Sequence, residues 1–275
     1  MDDTSETAHL TKRSQRKAVR ALLSPKDRVG LRIQALLARI FLPVLYPIYL
    51  VLLRFGLGYR VRGHRQTLAR IRSELRHRRD PLLICPNHLT MIDSIILLWI
   101  LTPWWRTFWD LRLFAWNTPE KRNFAHVPVL RFFAYIGRCI EIIRQAPREE
   151  TQKLLARLKA LLVHGQSVMI FPEGKRSRSG RVDTEGFAYG VGKIIDDLRL
   201  IGASPRVLCI YLRGRRQTGH SVMPKRGESF YLDYALIEPQ TEYRGMRAHR
   251  DISTTIVQKL AELEGTYFAS SDISR

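Results

Sequence analysis

The chain has 275 residues, with 46 lysines and arginines against 25 aspartates and glutamates, which gives a formal net charge of +21. Hydrophobic residues make up 45% and charged residues 26%, as in ordinary globular proteins, so the composition excludes wholesale disorder. The length predicts one domain with an N-terminal extension. The charge predicts a polyanionic neighbour, whether nucleic acid, an anionic bilayer or an acidic carrier protein.

The first predicted segment, residues 1–34, changes from acidic to polybasic. Residues 1–9 are polar and are expected to be disordered, whereas residues 12–32 carry eight lysines and arginines. Beside a membrane each such cation adds about 1 kcal/mol of attraction to anionic lipid, so we predict a membrane-attracted arm. A solvated tail or an RNA-binding tail is the alternative. No signal-peptide pattern is visible, so the active part is expected to face the cytoplasm.

An apolar segment follows at residues 35–58, and its core is IFLPVLYPIYLVLL at residues 40–53. A helix of roughly 14 residues reaches only about 21 Å, short of a hydrocarbon core of about 30 Å. Pro43 and Pro47 would each remove a helical hydrogen bond or bend the helix. We therefore predict a bent, membrane-associating helical segment, with a buried core helix as the alternative.

Residues 59–275 alternate between helical and strand patterns. Helices are predicted at residues 67–80, where Leu68, Ile71 and Leu75 share a face, and at residues 148–165 and 252–263. Strand candidates are the short apolar runs LLIC, RCIEII, SVMIF, RVLCIYL and SFYLDYAL. This order predicts an α/β domain with a mixed, largely parallel sheet flanked by helices.

The three cysteines, Cys85, Cys139 and Cys209, lie in apolar runs without a paired spacing. They are predicted to be small buried side chains in a reducing compartment. Metal ligation or nucleophilic chemistry, the alternative, would need partners at short spacing. Because no metal-ligand set is visible, we expect no metal and no other cofactor.

The first chemical motif is PNHLTMIDS at residues 86–94, directly after a predicted strand. Histidine is the natural general base near neutral pH, and a carboxylate can hold its tautomer. In a continuous helix, residues five apart point in different directions, so His88 and Asp93 meet only if His88 precedes the helix and Asp93 begins it. A core histidine near a helix cap would show the same pattern.

The second motif is IFPEGKRSRSG at residues 170–180, also directly after a predicted strand. Pro172 and Gly174 should end the strand, and Lys175, Arg176 and Arg178 then concentrate positive charge in a loop. A guanidinium group can donate two parallel hydrogen bonds to the oxygens of one phosphate, and glycine lets backbone N–H groups come close to the phosphate. Taken alone, the loop could also be an ordinary basic surface loop.

Together the two motifs resemble the glycerolipid acyltransferases of the 1-acylglycerol-3-phosphate acyltransferase type, whose blocks are NHxxxxD and FPEGTRS. The resemblance covers residues 59–213, and the apolar N-terminal segment is similar to that family's membrane-anchoring helices. YIGRCIEIIRQ, with Gly137 and Arg144, resembles the block whose arginine contacts the acceptor's phosphate. Lys175 stands where the family usually has threonine.

The resemblance implies an acyl transfer without an acyl-enzyme. His88 would take the proton of the acceptor hydroxyl as it attacks the thioester of acyl-CoA or acyl carrier protein, and Asp93 would hold the imidazole. The acceptor would be a lysophospholipid, with 1-acylglycerol 3-phosphate favoured over glycerol 3-phosphate, other lysophospholipids and a lyso-aminolipid. The residues that it implies for substrate binding are Asn87, Arg144, Glu173, Gly174, Lys175 and Arg176.

All five tryptophans follow Asp93 within a short stretch that also contains arginines. Such a cluster is typical of side chains at the headgroup level of a bilayer. Ordinary packing in a protein core would explain it equally well. Arg112, Trp116 and Arg122 are therefore candidates for the acyl-chain or membrane side.

We thus expect an enzyme on the cytoplasmic face of the inner (plasma) membrane, with anionic lipids as partners and no specific nucleic acid. A nucleic-acid-binding protein is the alternative that also explains the charge, but it leaves the paired motifs unexplained. A lipid-binding protein without catalysis is a further alternative, and it has no need of a general base.

Overall fold

The computed structural model describes residues 11–75 and 80–272. Residues 1–9, predicted to be disordered, lie outside this part, and so do the arginines of residues 76–79. Within it, a six-stranded sheet is flanked by helices on both faces. The predicted α/β class, with a mixed and largely parallel sheet, is confirmed.

The helices and strands follow in a regular order. The helices are α1 (Lys12–Ala21), α2 (Pro25–Val51), α3 (His64–Glu74), α4 (Asp93–Leu101), α5 (Pro128–Ile136), α6 (Arg148–Val163), α7 (Gly190–Leu200) and α8 (Met246–Asp272). The strands are β1 (Arg60–Val61), β2 (Leu82–Pro86), β3 (Trp116–Asn117), β4 (Ser167–Met169), β5 (Arg206–Gly214) and β6 (Ser229–Ile237). Short helical turns lie at Leu52–Gly56, Trp104–Phe108 and Lys121–Asn123.

The strand order is β1-β6-β5-β2-β4-β3, and every neighbouring pair is parallel except β5 and β6. All residues of β2 are buried, as expected for a strand covered on both faces. The carboxyl ends of β2, β3, β4 and β5 therefore lie at one edge of the sheet. Open α/β sheets bind their ligands at this edge.

The apolar core has one part on each face of the sheet. Side chains of α2, α3 and α4 pack on one face, and side chains of α6, α7 and α8 pack on the other. Helices α7 and α8 approach so closely at Gly192 that an added Cβ would lie 1.9 Å from the carbonyl oxygen of His249. Only glycine fits at this crossing.

One predicted strand is wrong. The run RCIEII forms only isolated bridges, from Cys139 to Asn117 and from Ile142 to Glu120. The chain leaves α5 through Arg138, which has a φ of 60° in the left-handed region, so a regular strand cannot begin there. The edge strand of the sheet is instead the two-residue β3.

The polybasic residues 12–32 belong to helices α1 and α2. Val19 and Leu23 pack against Ala156 and Ala160 of α6, and Gln15 donates a hydrogen bond to the Gly202 carbonyl at 2.7 Å. The basic segment is thus docked on the domain, and the attraction to anionic lipid that its charge predicts stays a prediction.

Helix α2 is longer than the apolar run in its sequence indicates. It runs through the predicted boundary at residue 34 and through both prolines, and with the turn that follows it spans 32 residues, Pro25–Gly56. The estimate of roughly 14 residues was wrong because the helix begins at the Ser24 cap, whose side chain accepts the Asp27 N–H, and so includes the mixed polar and apolar residues before the apolar run. Within the described chain this helix is long and apolar enough to cross a membrane, which is weak support for membrane association.

The cysteine prediction holds in part. Cys85 and Cys209 are buried and lie opposite each other on β2 and β5. Cys139 is partly exposed to solvent. Burial raises the pKa of the Cys209 thiol to about 12, so the thiol stays protonated and unreactive.

Candidate active site

His88 and Asp93 meet at the carboxyl end of β2. His88 lies two residues beyond the strand and Asp93 is the first residue of α4, as the spacing predicted. His88 Nδ1 is 3.2 Å from Asp93 Oδ2. Because Asp93 occupies Nδ1, Nε2 is the nitrogen that can exchange a proton with a substrate.

The Asp93 carboxylate also organises the turn that carries His88. Its Oδ2 accepts hydrogen bonds from the backbone N–H groups of Leu89 and Thr90, both at 2.7 Å, and its Oδ1 accepts one from the Thr90 hydroxyl. An acidic residue at a helix start is also favoured by the helix dipole. Asp93 therefore holds both the imidazole and the backbone that presents it.

The second motif fixes His88 from the other side. The His88 N–H donates to Glu173 Oε1 at 2.9 Å, and the His88 carbonyl accepts from the Ser177 N–H at 2.9 Å. The imidazole stacks on the Phe171 ring, with centroids 4.0 Å apart. The two motifs thus form one structural unit although 85 positions separate His88 from Glu173.

Asn87 and Glu173 serve the protein's own backbone. Glu173 Oε2 accepts the Asp183 N–H at 3.2 Å, so both carboxylate oxygens are engaged. Asn87 pairs in both directions with the backbone of Leu212 on β5. Both side chains are buried. These bonds give both residues a role in positioning His88 and its loops. The substrate contacts that the family resemblance implies for them stay predictions.

Glu173→Gln is expected to flatten part of the pH dependence of stability. Burial raises the pKa of Glu173 from 4.5 to about 7, so the folded state binds this proton more tightly than the unfolded state. The resulting stabilisation is complete below pH 4.5 and is lost as the pH rises through 7. Thermal unfolding of both proteins across this range should show the wild type losing more stability than the variant. Parallel curves would contradict the prediction.

A cavity of about 800 Å³ opens beside His88 at this edge of the sheet. Of the predicted site residues, His88, Arg144, Glu173, Gly174, Lys175 and Arg176 line it, whereas Asn87 and Asp93 do not. Gly174 has a φ of 66° and forms the turn after β4, as its place in the motif predicted. Arg144 and Arg176 therefore share one cavity with the candidate base although they follow different strands.

The cations of the cavity wall differ in their partners. Arg144 Nε lies 2.8 Å from Glu120 Oε2, and Arg176 Nη1 donates to the Ser221 carbonyl at 3.2 Å. Lys175 Nζ forms an ion pair with Asp183 at 2.9 Å, which offsets its charge. The two arginines are bound by only part of their guanidinium groups, so the remaining N–H groups can serve an anion.

Glu120 is a site residue that the sequence motifs did not indicate. It follows β3, lines the cavity and orients Arg144 through its carboxylate. Its closeness to Arg144 comes from the bridge between Glu120 and Ile142 at the sheet edge. A contact between residues so placed leaves no local signal in a single sequence.

Part of the cavity wall is apolar. It is formed by α6, α7 and the residues that follow β4 and precede α7, with side chains from Leu154, Leu155, Leu158, Ile170, Phe187, Val191 and Ile194. The cavity therefore combines a candidate base, cationic side chains and an apolar part of its wall.

The residues predicted for the acyl-chain or membrane side lie outside this cavity. Trp116 is 1% exposed in β3, beneath the buried Arg138 guanidinium, so the membrane hypothesis was wrong for this ring. Arg112 is paired with Asp110, and Arg122 lines a smaller cavity of about 360 Å³ next to Arg144. By contrast, Trp104, Trp105 and Trp109 are exposed.

A carboxylate-held histidine beside a cationic wall, at the carboxyl edge of an α/β sheet, defines an enzyme site that can activate a hydroxyl group near an anion. Comparison with protein families agrees: the model described as Acyltransferase matches residues 68–237, well over half of the chain. The protein therefore belongs to the Acyltransferase family, that of the glycerolipid acyltransferases. No curated protein matches the sequence significantly.

Proposed function

We propose that this acyltransferase moves a fatty acyl group from acyl-CoA or acyl carrier protein to the hydroxyl of a lysophospholipid, with 1-acylglycerol 3-phosphate as the favoured acceptor. The proposal rests on one observation: the His88 imidazole, which is held by Asp93, lines the same cavity as Arg144 and Arg176. Transfer to a phosphate-bearing alcohol needs a base for the hydroxyl and cations for the phosphate, and this cavity provides both.

In the proposed reaction, His88 Nε2 takes the hydroxyl proton as the acceptor oxygen attacks the thioester carbonyl carbon. The C–S bond then breaks, and the thiolate leaves with the proton from the imidazolium, which yields an ester and a free thiol. Asp93 stabilises the transient imidazolium. Arg144 and Arg176 hold the acceptor's phosphate and so keep its hydroxyl close to the base, which lowers the entropic part of the barrier. No metal or other cofactor is required in this scheme.

The apolar wall of α6 and α7 supports a lipid substrate, because it offers an acyl chain a place beside the catalytic base. We place the protein at the cytoplasmic face of the inner (plasma) membrane, and α2 and the net charge of +21 support the association with anionic lipids. The nucleic-acid-binding hypothesis rests on charge alone, whereas family membership accounts for both motifs.

The proposal is tested by assaying the purified protein with acyl-CoA and with acylated carrier protein against a panel of acceptors. The panel contains 1-acylglycerol 3-phosphate, glycerol 3-phosphate, a choline lysophospholipid and a lyso-aminolipid. We expect diacylated product and one free thiol per ester, with the highest kcat/KM for 1-acylglycerol 3-phosphate. Higher activity with an acceptor that lacks a terminal phosphate would overturn the proposed acceptor.

Leu154→Phe is expected to change the preference for acyl-chain length. Leu154 is partly buried and lines the apolar wall, so a larger ring there should shorten the space for a chain. One methylene in an apolar pocket changes specificity about tenfold or more. The ratio of kcat/KM for palmitoyl and decanoyl substrates should therefore fall about tenfold, with Leu200→Phe, on the exposed end of α7, as control. An unchanged ratio would place the acyl chain elsewhere.

A further inference from the structure

The described surface carries a large apolar area away from the cavity. It is formed by the outer side of α2, by the Trp104–Phe108 helix with Trp109, and by α5, and we call it the apolar surface. Its exposed side chains are Ile33, Leu36, Ile40, Phe41, Val44, Ile48, Val51, Leu52, Phe55, Trp104, Trp105, Phe108, Trp109, Val129, Leu130, Phe132 and Phe133. Apolar areas of this extent on soluble proteins mark interaction sites.

Helix α2 is apolar on two opposite sides. Ala38, Leu42 and Tyr46 form its buried stripe, at most 5% exposed. The outer stripe repeats every four residues from Leu36 to Ile48, and its four side chains are between 57% and 63% exposed. A helix that is apolar on two opposite sides is stable only when both sides meet an apolar environment. The described chain supplies that environment on the inner side alone.

The three elements of the apolar surface are in contact. The rings of Phe41 on α2 and Phe132 on α5 have centroids 6.1 Å apart. The Trp104–Phe108 helix packs against α2, and within it Trp104 contacts both Trp105 and Phe108 edge to face. The exposed side chains therefore belong to one composite surface.

The inner side of α2 is tied to the domain along its length. Gln34 Nε2 donates to the carbonyl oxygens of Tyr135 and Cys139, each at 2.9 Å. The Tyr46 hydroxyl lies 2.8 Å from the Leu98 carbonyl, and Leu53 is only 1% exposed. From Gln34 to Leu53 the helix covers about 28 Å. A helix that left the domain to cross a bilayer would break these contacts over nearly a full membrane thickness.

We propose that the apolar surface docks on a lipid bilayer, with α2 lying in the plane of the membrane interface and not across it. Positive charge supports lipid as the occupant, because residues 28–56 contain four arginines and no acidic residue. Exposed Arg32, Arg39 and Arg54 would meet anionic headgroups, and the exposed tryptophans suit the same depth. A symmetric contact with a second copy would gather the arginines of both copies in one interface, where their like charges repel.

This proposal refines the membrane association of the proposed function, and sedimentation of the full chain with vesicles of phosphatidylcholine and phosphatidylglycerol tests it. We expect Trp105→Ser with Trp109→Ser, and Val44→Ser with Ile48→Ser, each to lower the partition coefficient at least tenfold. The control pair, Leu200→Ser with Met246→Ser, removes equally exposed side chains from α7 and α8 and should bind as wild type. Wild-type vesicle binding by both surface variants would overturn the proposal. A wild-type dimer that the surface substitutions disrupt would overturn it too.

The depth of α2 separates docking from spanning. Nitroxide labels on Leu36→Cys, Val44→Cys and Leu52→Cys, in a chain with Cys139→Ala, should all lie about 5–10 Å below the headgroups. A graded depth that passes through the bilayer centre would show a spanning helix and overturn the in-plane arrangement.

The docking proposal and the proposed function fail separately. Transfer to a short-chain, water-soluble lysolipid should stay within about twofold of wild type in the surface variants, because none of their residues lines the cavity. No transfer by the wild type would refute the enzyme function and leave the docking result standing.

Discussion

His88→Ala is expected to lower kcat by about 10² to 10⁴ with little change in thermal stability, because removing a positioned general base has an effect of this size. The imidazole is partly exposed at the cavity, so its removal leaves the core intact. Steady-state kinetics together with thermal unfolding checks the prediction. Turnover close to wild type would exclude His88 as the base.

Asp93→Asn serves as the companion variant. Its turnover should fall nearly as far, but its melting temperature should fall too, because an amide cannot accept all the hydrogen bonds that Asp93 accepts from Leu89, Thr90 and His88. Loss of stability with normal turnover would give Asp93 a purely structural role.

Arg144→Ala and Arg176→Ala are expected to lower kcat/KM for the phosphate-bearing acceptor about 10- to 100-fold, the usual effect of losing a hydrogen bond between charged groups. Most of the change should be in the acceptor's KM, with some loss of kcat because orientation depends on the same contacts. The KM of the acyl donor should stay nearly constant. Lysine at either position should give an intermediate result, because it keeps the charge and loses the planar fork.

The decisive measurement compares paired acceptors with and without the phosphate in each variant. Arg199→Ala is the matched control, because Arg199 hydrogen-bonds Gln240 on the surface and does not line the cavity. If the variants impaired only the donor, or if the wild type used both acceptors equally well, the arginines would serve the donor's phosphates or the bilayer instead.

Local chemistry explains why part of the site was predictable. His88 and Asp93 lie within one turn and the start of one helix, so the spacing specified the geometry that the two side chains need in order to meet, and the structure shows that geometry. The meeting of Arg144 and Arg176 in one cavity followed from the motif resemblance and from the parallel order of the strands.

Long-range packing explains what the sequence did not predict. Glu120 lies close to Arg144 because of the β-bridge between Glu120 and Ile142 at the sheet edge. The Glu173 side chain accepts hydrogen bonds from backbone N–H groups of two loops. The sequence around Trp116 does not distinguish it from the exposed tryptophans nearby, and it is buried because it lies in strand β3. Each outcome depends on contacts between segments that are distant in sequence.

The backbone hydrogen bonds that hold His88 to Glu173 and Ser177 have a consequence for the order of events in turnover. The loop that carries the candidate base and the loop that carries Arg176 are joined by hydrogen bonds within the protein itself, so substrate binding need not assemble them. A preorganised site of this kind loses little conformational entropy on binding and aligns its dipoles before charge develops. Rate differences between acceptors should therefore reflect how each one fits a fixed frame.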